Sequence, residues 1–250
     1  MNWHIGCSGF HYRDWKEVFY PAGIPQRKWF EYYSSQFDTL ELNVTFYRFP
    51  QVKFLQNWYM VSPADFKFSV KAPRLITHYK QFRDCERLLD DFYTTIEQGL
   101  KDKLGAVLFQ LPPKFHFTDE RLEILLSNMR KGVTNTFEFR HDSWWTEPVY
   151  QRLKKEKILF SGISHPKLPD ETIVTNKKAY YRFHGVPKLY YSAYKEDMLK
   201  RVADDLIKDK TVKEAYIYFN NTADIGAIEN AVWLMNYIKG KDQAERSKKI

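Results

Sequence analysis

The chain has 250 residues, 44% of them hydrophobic and 28% charged, enough to bury one large core and only marginal for two domains. No apolar run approaches the roughly 18 residues of a membrane-spanning helix, so a soluble protein is expected. The formal net charge is +8, from 39 Lys and Arg against 31 Asp and Glu, and part of the excess lies in 239–250, where Lys239, Lys241, Arg246, Lys248 and Lys249 face only Asp242 and Glu245. The mildly basic remainder tolerates an anionic ligand without identifying a nucleic-acid binder.

Two cysteines, Cys7 and Cys85, cannot build a disulfide framework or a Cys-based zinc site. With no leader-like segment before the first expected strand, a reducing cytoplasm is the expected location. The 7 Trp, 17 Tyr and 19 Phe predict thick layers of packed rings.

In chain order, apolar β-rich runs alternate with amphipathic ones. The pattern predicts strand 3–8, helix 26–36, strand 39–43, helix 52–60, strand 66–72, helix 84–100, strand 105–111 and helix 119–130. It continues with strand 136–140, helix 147–155, strands 158–163 and 179–184, helix 195–208, strand 215–220 and helix 227–239. The segment 165–178, between the sixth and seventh strands, is too proline-rich and irregular for a helix. Strands alternating with helices must pair in parallel. Eight such units in about 250 residues predict an α/β fold, a single-domain TIM-type (β/α)8 barrel over 1–240 with an irregular sixth crossover, followed by a basic tail at 241–250 expected to fray. An open doubly wound sheet fits less well, because Gly6-Cys7-Ser8-Gly9 lacks the G-x-G-x-x-G spacing and no G-x-x-x-x-G-K-[ST] loop occurs.

In a barrel, alternate side chains face the interior, and catalytic groups of such enzymes sit at the C-terminal strand ends. If the leucines of Leu40-Glu41-Leu42-Asn43 face the helices, Glu41 and Asn43 face inward. The same parity sends Lys71, Gln110, Glu138, Arg140, Arg182 and His184 inward, with Asn220 and Asn221 ending the last strand. Buried charges must be paired, so Glu41, Glu138, Lys71, Arg140 and Arg182 are expected to form a network with one cation in excess, suited to a phosphate or carboxylate. The plainer alternative is a set of interior salt bridges that fix strand register. Inward polar ends on five strands at one barrel face favour a pocket.

These stretches resemble the domain of unknown function 72 family, also called the YecE-like family, along nearly the whole chain. The resemblance is carried by Ile5-Gly6-Cys7-Ser8-Gly9-Phe10 with Tyr12 and Trp15, by Glu41 through Pro50, by Phe68-Ser69-Val70-Lys71 with Ile76-Thr77-His78, and by Gln110-Leu111-Pro112-Pro113. It continues through Glu138-Phe139-Arg140-His141 with Ser143-Trp144, Tyr181-Arg182-Phe183-His184-Gly185 and Tyr218-Phe219-Asn220-Asn221. The resemblance implies a bacterial or archaeal TIM-type barrel of a family without an established activity. Cys7 and Phe10 stand where relatives more often carry threonine and tryptophan, so Cys7 is read as a buried, inert thiol. The sixth strand ends in Ile163-Ser164-His165-Pro166, where an acidic residue is expected in relatives.

The favoured function is an enzyme working by acid-base chemistry on an anionic substrate. Glu41 or Glu138 would be the base, His184 or His78 the acid, and Lys71, Arg140 and Arg182 the clamp. Asn43, Gln110, Asn220 and Asn221 would hold the substrate, and the loop aromatics Tyr12 and Trp15 would wall it from water. No cofactor is expected. A divalent metal held by Glu41, Glu138, His184 and His78 is a minor alternative, disfavoured by three neighbouring cations and by the lack of H-x-H or H-E-x-x-H. The other alternative is a nucleic-acid-binding or nucleic-acid-processing barrel, suggested by basic and aromatic residues interleaved as in Tyr12-Arg13-Asp14-Trp15. A triad of Ser143, His141 and Asp142 is discounted, because adjacent residues rarely reach the geometry and no G-x-S-x-G elbow exists. A small anionic ligand is thus the expected partner, with nucleic acid second and a membrane excluded.

Overall fold

The structure is a computed structural model that describes residues 1–247. Eight parallel strands run in the order β1-β8-β7-β6-β5-β4-β3-β2. They are β1 (Asn2–Cys7), β2 (Thr39–Leu42), β3 (Lys67–Lys71), β4 (Leu104–Gln110), β5 (Asn135–Glu138), β6 (Leu159–Ser164), β7 (Lys178–Phe183) and β8 (Glu214–Phe219). The helices are α1 (Trp29–Gln36), α2 (Val44–Tyr47), α3 (Val52–Val61), α4 (Glu86–Leu100), α5 (Asp119–Ser127), α6 (Glu147–Lys155), α7 (Glu196–Lys208) and α8 (Gly226–Ser247). Together they form a TIM-type (β/α)8 barrel, and the sixth crossover carries no helix. No helix among the described residues is long and apolar enough to cross a membrane.

Among the short elements not legible in the sequence are the single turn α2, directly after β2, and a π-helical turn at Leu75–Lys80, directly after β3. Both lie at the C-terminal ends of their strands, where they shape the barrel mouth. The segment expected to fray continues α8 as far as Ser247, and the last three residues of the expected tail lie outside the described residues.

The helix layer and the outward strand faces share one core, in which Trp29, Tyr33, Phe68, Phe109, Phe137, Phe139, Trp144 and Phe183 are buried. A separate cluster of Ala106, Leu108, Leu159, Tyr180, Tyr216 and Tyr218 fills the barrel itself. Polar groups lie at both ends of this cluster, with His4 and Glu214 at the N-terminal strand ends and Glu41, Glu138 and Arg182 toward the C-terminal face.

The β1–β2 seam closes by a single parallel bridge, Ser8 to Glu41, rather than a ladder. The Tyr33 hydroxyl occupies the gap, accepting from the Cys7 backbone N–H at 2.8 Å and donating to the Thr39 carbonyl at 3.0 Å. Two backbone groups that a ladder would have paired are thereby satisfied. Gly6 is required here, since a Cβ would lie 2.3 Å from the Thr39 carbonyl oxygen and 2.8 Å from that hydroxyl.

Candidate functional site at the barrel mouth

The strand alternation brings together most of the side chains that the sequence marks as inward. Arg182, fully buried at the centre, donates to Glu41 Oε1 at 2.6 Å and to Glu138 Oε2 at 2.7 Å. The Tyr180 hydroxyl takes the other Glu41 oxygen at 2.6 Å, and Arg140 Nε takes the other Glu138 oxygen at 2.5 Å. All four carboxylate oxygens are therefore hydrogen-bonded, and the two guanidiniums balance the two carboxylates. A buried network is tolerable only when satisfied in this way.

His184 joins this floor. Its Nε2 lies 3.1 Å from Glu138 Oε2 and 3.1 Å from an Arg140 nitrogen, and its Nδ1 lies 2.9 Å from the Asn220 amide. With that amide donating to Nδ1, the tautomer assigned by the network carries its proton on Nε2, toward Glu138. Burial first, then the Arg140 charge, drives the His184 pKa well below its ordinary value. Burial alone would raise the Glu138 pKa, but the Arg140 and Arg182 guanidiniums and His184 outweigh burial and hold it well below the usual carboxylate range. Glu138 and His184 are thus fixed as an ionised carboxylate and a neutral imidazole near neutral pH. The ionised carboxylate is the state expected of Glu138 as a base, whereas the neutral imidazole differs from the acid expected of His184. Both Glu41 oxygens are engaged beneath the mouth, one by Tyr180 and one by Arg182.

Above this floor lie less buried groups. Lys71 is half-buried at the end of β3, with Nζ 4.1 Å from the centroid of the Phe46 ring on α2. Among the described residues no carboxylate lies within salt-bridge distance of Nζ. Burial, then the charge of Arg182, lowers its pKa to about 7. A cation–π contact returns about 1 kcal/mol to the ammonium, less than the desolvation it opposes. His78 lies edge-on to the same ring at 5.1 Å, and burial followed by the Lys71 charge lowers its pKa to about 4. His78 is therefore a neutral imidazole near pH 7 rather than the expected acid. Gln110 Nε2 lies 3.5 Å from His78 Nε2 and donates to the Leu111 carbonyl at 3.0 Å.

Near β1 and β2, Asn43 donates to the Ser8 carbonyl at 3.3 Å, while its own Oδ1 is buried without a protein partner. Tyr12 donates to the same carbonyl at 2.5 Å. Glu41, Asn43 and Tyr12 border a cavity of about 370 Å³, walled mainly by Phe10, Tyr47 and Trp58.

Two expected residues are not in the mouth. Trp15 is fully buried, its indole N–H donating to the Asp224 carbonyl at 3.1 Å and its ring packed against Tyr12, Phe19 and Tyr20. It is part of the packed rim, since an aromatic with its polar atom satisfied is as suited to a core as to a ligand wall. Asn221 follows Asn220 and so takes the opposite side: its amide donates to Ser192 and Asn230 and ties the loop after β8 to α8.

Cys7 is fully buried, and burial pushes its thiol pKa upward, in keeping with an inert role. Ser143 Oγ accepts from the Phe117 backbone N–H at 2.8 Å and lies 2.8 Å from His141 Nδ1, a loop-capping arrangement. Among the described residues no group of three His, Cys, Asp or Glu is arranged to hold a metal ion, and Arg182 occupies the space between the two glutamates.

Two participants, Phe46 and Tyr180, were not singled out by the sequence, and a third, His165, was marked only as standing where relatives are expected to carry an acidic residue. Phe46 comes from the unrecognised turn α2. Tyr180 shares the inward parity of Arg182 and His184, and that parity was the available signal. His165, two residues beyond inward-facing Ile163, stacks edge-on at 6.0 Å from His184, and burial, then Arg140, lowers its pKa to about 4.

Residues 4–249 match the family described as Protein of unknown function DUF72. The chain belongs to the DUF72 family. It is 25% identical to UPF0759 protein YunF of Bacillus subtilis (strain 168) over 94% of each chain. It is 31% identical to UPF0759 protein YecE of Escherichia coli (strain K12) over 65% of this chain and 73% of that one. A crystal structure of a DUF72 family protein (TM1631) from Thermotoga maritima MSB8 is similar with a TM-score of 0.87 at 30% identity, covering 96% of this chain and 100% of that one. A second, from Enterococcus faecalis V583 at 20% identity with a TM-score of 0.79, shares the fold over 95% of this chain and 98% of that one. For this DUF72 barrel, charge-balanced ions form a floor, and one amine without a carboxylate partner stands above it.

Proposed function

We propose that this DUF72 protein is an enzyme that binds a small phosphate- or carboxylate-bearing substrate at the C-terminal mouth of the barrel and works on it by acid-base chemistry. The observation that carries the reading is Lys71, half-buried at a strand end where barrel enzymes place their chemistry and lacking a carboxylate partner. Its pKa of about 7 leaves both protonation states populated near neutrality, as a proton-transferring group requires. Arg140, Gln110, His78 and Asn220 surround the position a substrate's anionic group would take. Arg182, Glu41, Glu138 and His184 hold the floor rigid.

Sulfate, which keeps its charge across neutral pH, is a suitable probe in calorimetric titration. Lys71→Gln and Arg140→Gln are each expected to weaken its binding by about tenfold or more, whereas Lys16→Gln, an exposed change on another loop, leaves it unaltered. Wild-type affinity should fall as pH rises through 7 and Lys71 loses its charge. Equal binding by all three variants would overturn the reading.

A second reading, contact with a nucleic-acid strand, has its own support in the rim. Tyr47, Tyr79 and Tyr191 are exposed, with Arg74 within 5.7 Å of the Tyr47 ring and 5.5 Å of the Tyr79 ring, and Lys188 3.9 Å from the Tyr191 ring. Rings beside cations suit stacked bases and phosphates. On this reading, single-stranded oligonucleotide affinity falls linearly with the logarithm of salt concentration, and Tyr47→Ala with Tyr191→Ala weakens it at least tenfold. A salt-independent signal would discard it.

A further inference from the structure

Resting on the anion-binding reading, we propose that Lys71 is an amine nucleophile that forms a Schiff base, so that the substrate class is small aldehydes or ketones that also carry an anionic group. Four observations converge. Lys71 is inward-facing at the end of β3 and half-buried, so its side chain keeps solvent access that the fully buried Arg182, Glu41 and Glu138 lack. The two nearby carboxylates are taken by Arg182, Arg140 and Tyr180, so nothing pins Lys71 as an ammonium ion. The Phe46 ring lies 4.1 Å from Nζ and forms an apolar wall on one side of the amine. Arg140, its side chain 9% exposed and its Nε held by Glu138, keeps a guanidinium charge beside the mouth for the substrate's carboxylate or phosphate. A pKa lowered to about 7 by burial and by Arg182 leaves a large neutral fraction of the amine at physiological pH.

The step balances without an added oxidant or reductant. The Nζ lone pair forms a C–N bond to the carbonyl carbon while the C=O π pair moves onto oxygen. Nitrogen gives up one proton and the oxygen takes one up, yielding a carbinolamine. A further proton from solvent at the mouth lets the C–O bond break, and the oxygen leaves as water as the nitrogen lone pair closes the C=N bond of a protonated imine. His78, neutral near pH 7 and packed on the same Phe46 ring as Lys71, is the imidazole placed to relay these protons.

The test treats the full chain with glyoxylate and cyanoborohydride at pH 7 and maps the resulting carboxymethyl-lysines by mass spectrometry. Lys71 is expected to be modified at least about tenfold faster than exposed Lys16, with a rate that rises through pH 7. Glycolaldehyde phosphate should modify the same residue, and Arg140→Gln should slow both anionic probes more than it slows neutral glycolaldehyde. Lys71→Arg should abolish modification at this position while leaving the rate at Lys16 unchanged. Modification of Lys71 no faster than Lys16 overturns the Schiff-base proposal. Sulfate binding that still depends on Lys71 and Arg140 would then leave the anion pocket standing, whereas loss of both results removes pocket and nucleophile together.

Discussion

Arg182→Met is expected to destabilise the protein by about 3–5 kcal/mol, seen as a lowered urea midpoint and a melting temperature reduced by roughly 10 °C. The side chain is fully buried and bridges two carboxylates whose strands lie on different sides of the barrel. Without it, Glu41 keeps only Tyr180, and Glu138 keeps Arg140 and His184. Glu138 stays paired with Arg140, but the Glu41 carboxylate is left where water does not reach with no cation beside it, and uncompensated buried charge is the costly case. Adding Glu41→Gln to Arg182→Met removes that charge and should recover a large part of the loss. A single Arg182→Met change that costs less than about 1 kcal/mol would contradict the bridging arrangement.

Much of this site was legible from strand parity. A period of two, anchored by apolar residues facing the helices, sends Glu41, Lys71, Gln110, Glu138, Arg140, Arg182 and His184 to one interior, and the structure places them there. What parity cannot supply is pairing. Arg182 lies 141 residues from Glu41 and 44 from Glu138, so its role as the bridge depends on how eight strands close around it. The expected excess of one cation is present, but the residue that carries it was hidden: only the completed network shows that each arginine has a carboxylate partner and that Lys71 has none within salt-bridge distance among the described residues. Phe46 was illegible for a different reason. It belongs to a four-residue helical turn, too short for hydrophobic periodicity to register. Trp15 failed because its residue type suits a ligand wall and a packed rim equally, and the distant Asp224 carbonyl that satisfies its indole could not be foreseen.

Lys71→Met is expected to change stability in a pH-dependent way. Because the folded pKa lies below that of the unfolded chain, the unfolded state binds more protons between about 7 and 10.5. Wild-type stability relative to the variant should therefore rise with pH across that window and be level on either side of it. Below pH 7 the variant is the more stable, because the folded wild type must hold a partly desolvated ammonium ion without a carboxylate. The upper limit of the difference is about 5 kcal/mol, reduced by the water that still reaches the side chain. Urea titrations of the two proteins at pH 6, 8 and 10.5 give the comparison, and a constant difference across all three would show that the Lys71 amine titrates normally.

The division into a floor and a mouth explains why the polar strand ends of this barrel need not all be catalytic: a floor of balanced ions fixes geometry, and the chemistry is left to the group the floor does not neutralise. The most direct test is an NMR titration of the Lys71 side chain in protein labelled at lysine Cε and Nζ, assigned with the Lys71→Arg variant. A midpoint near 7 is expected, well apart from the bulk of the lysines. A midpoint above about 10, merged with the exposed lysines, would mean that Lys71 is an ordinary ammonium ion and would contradict the central claim.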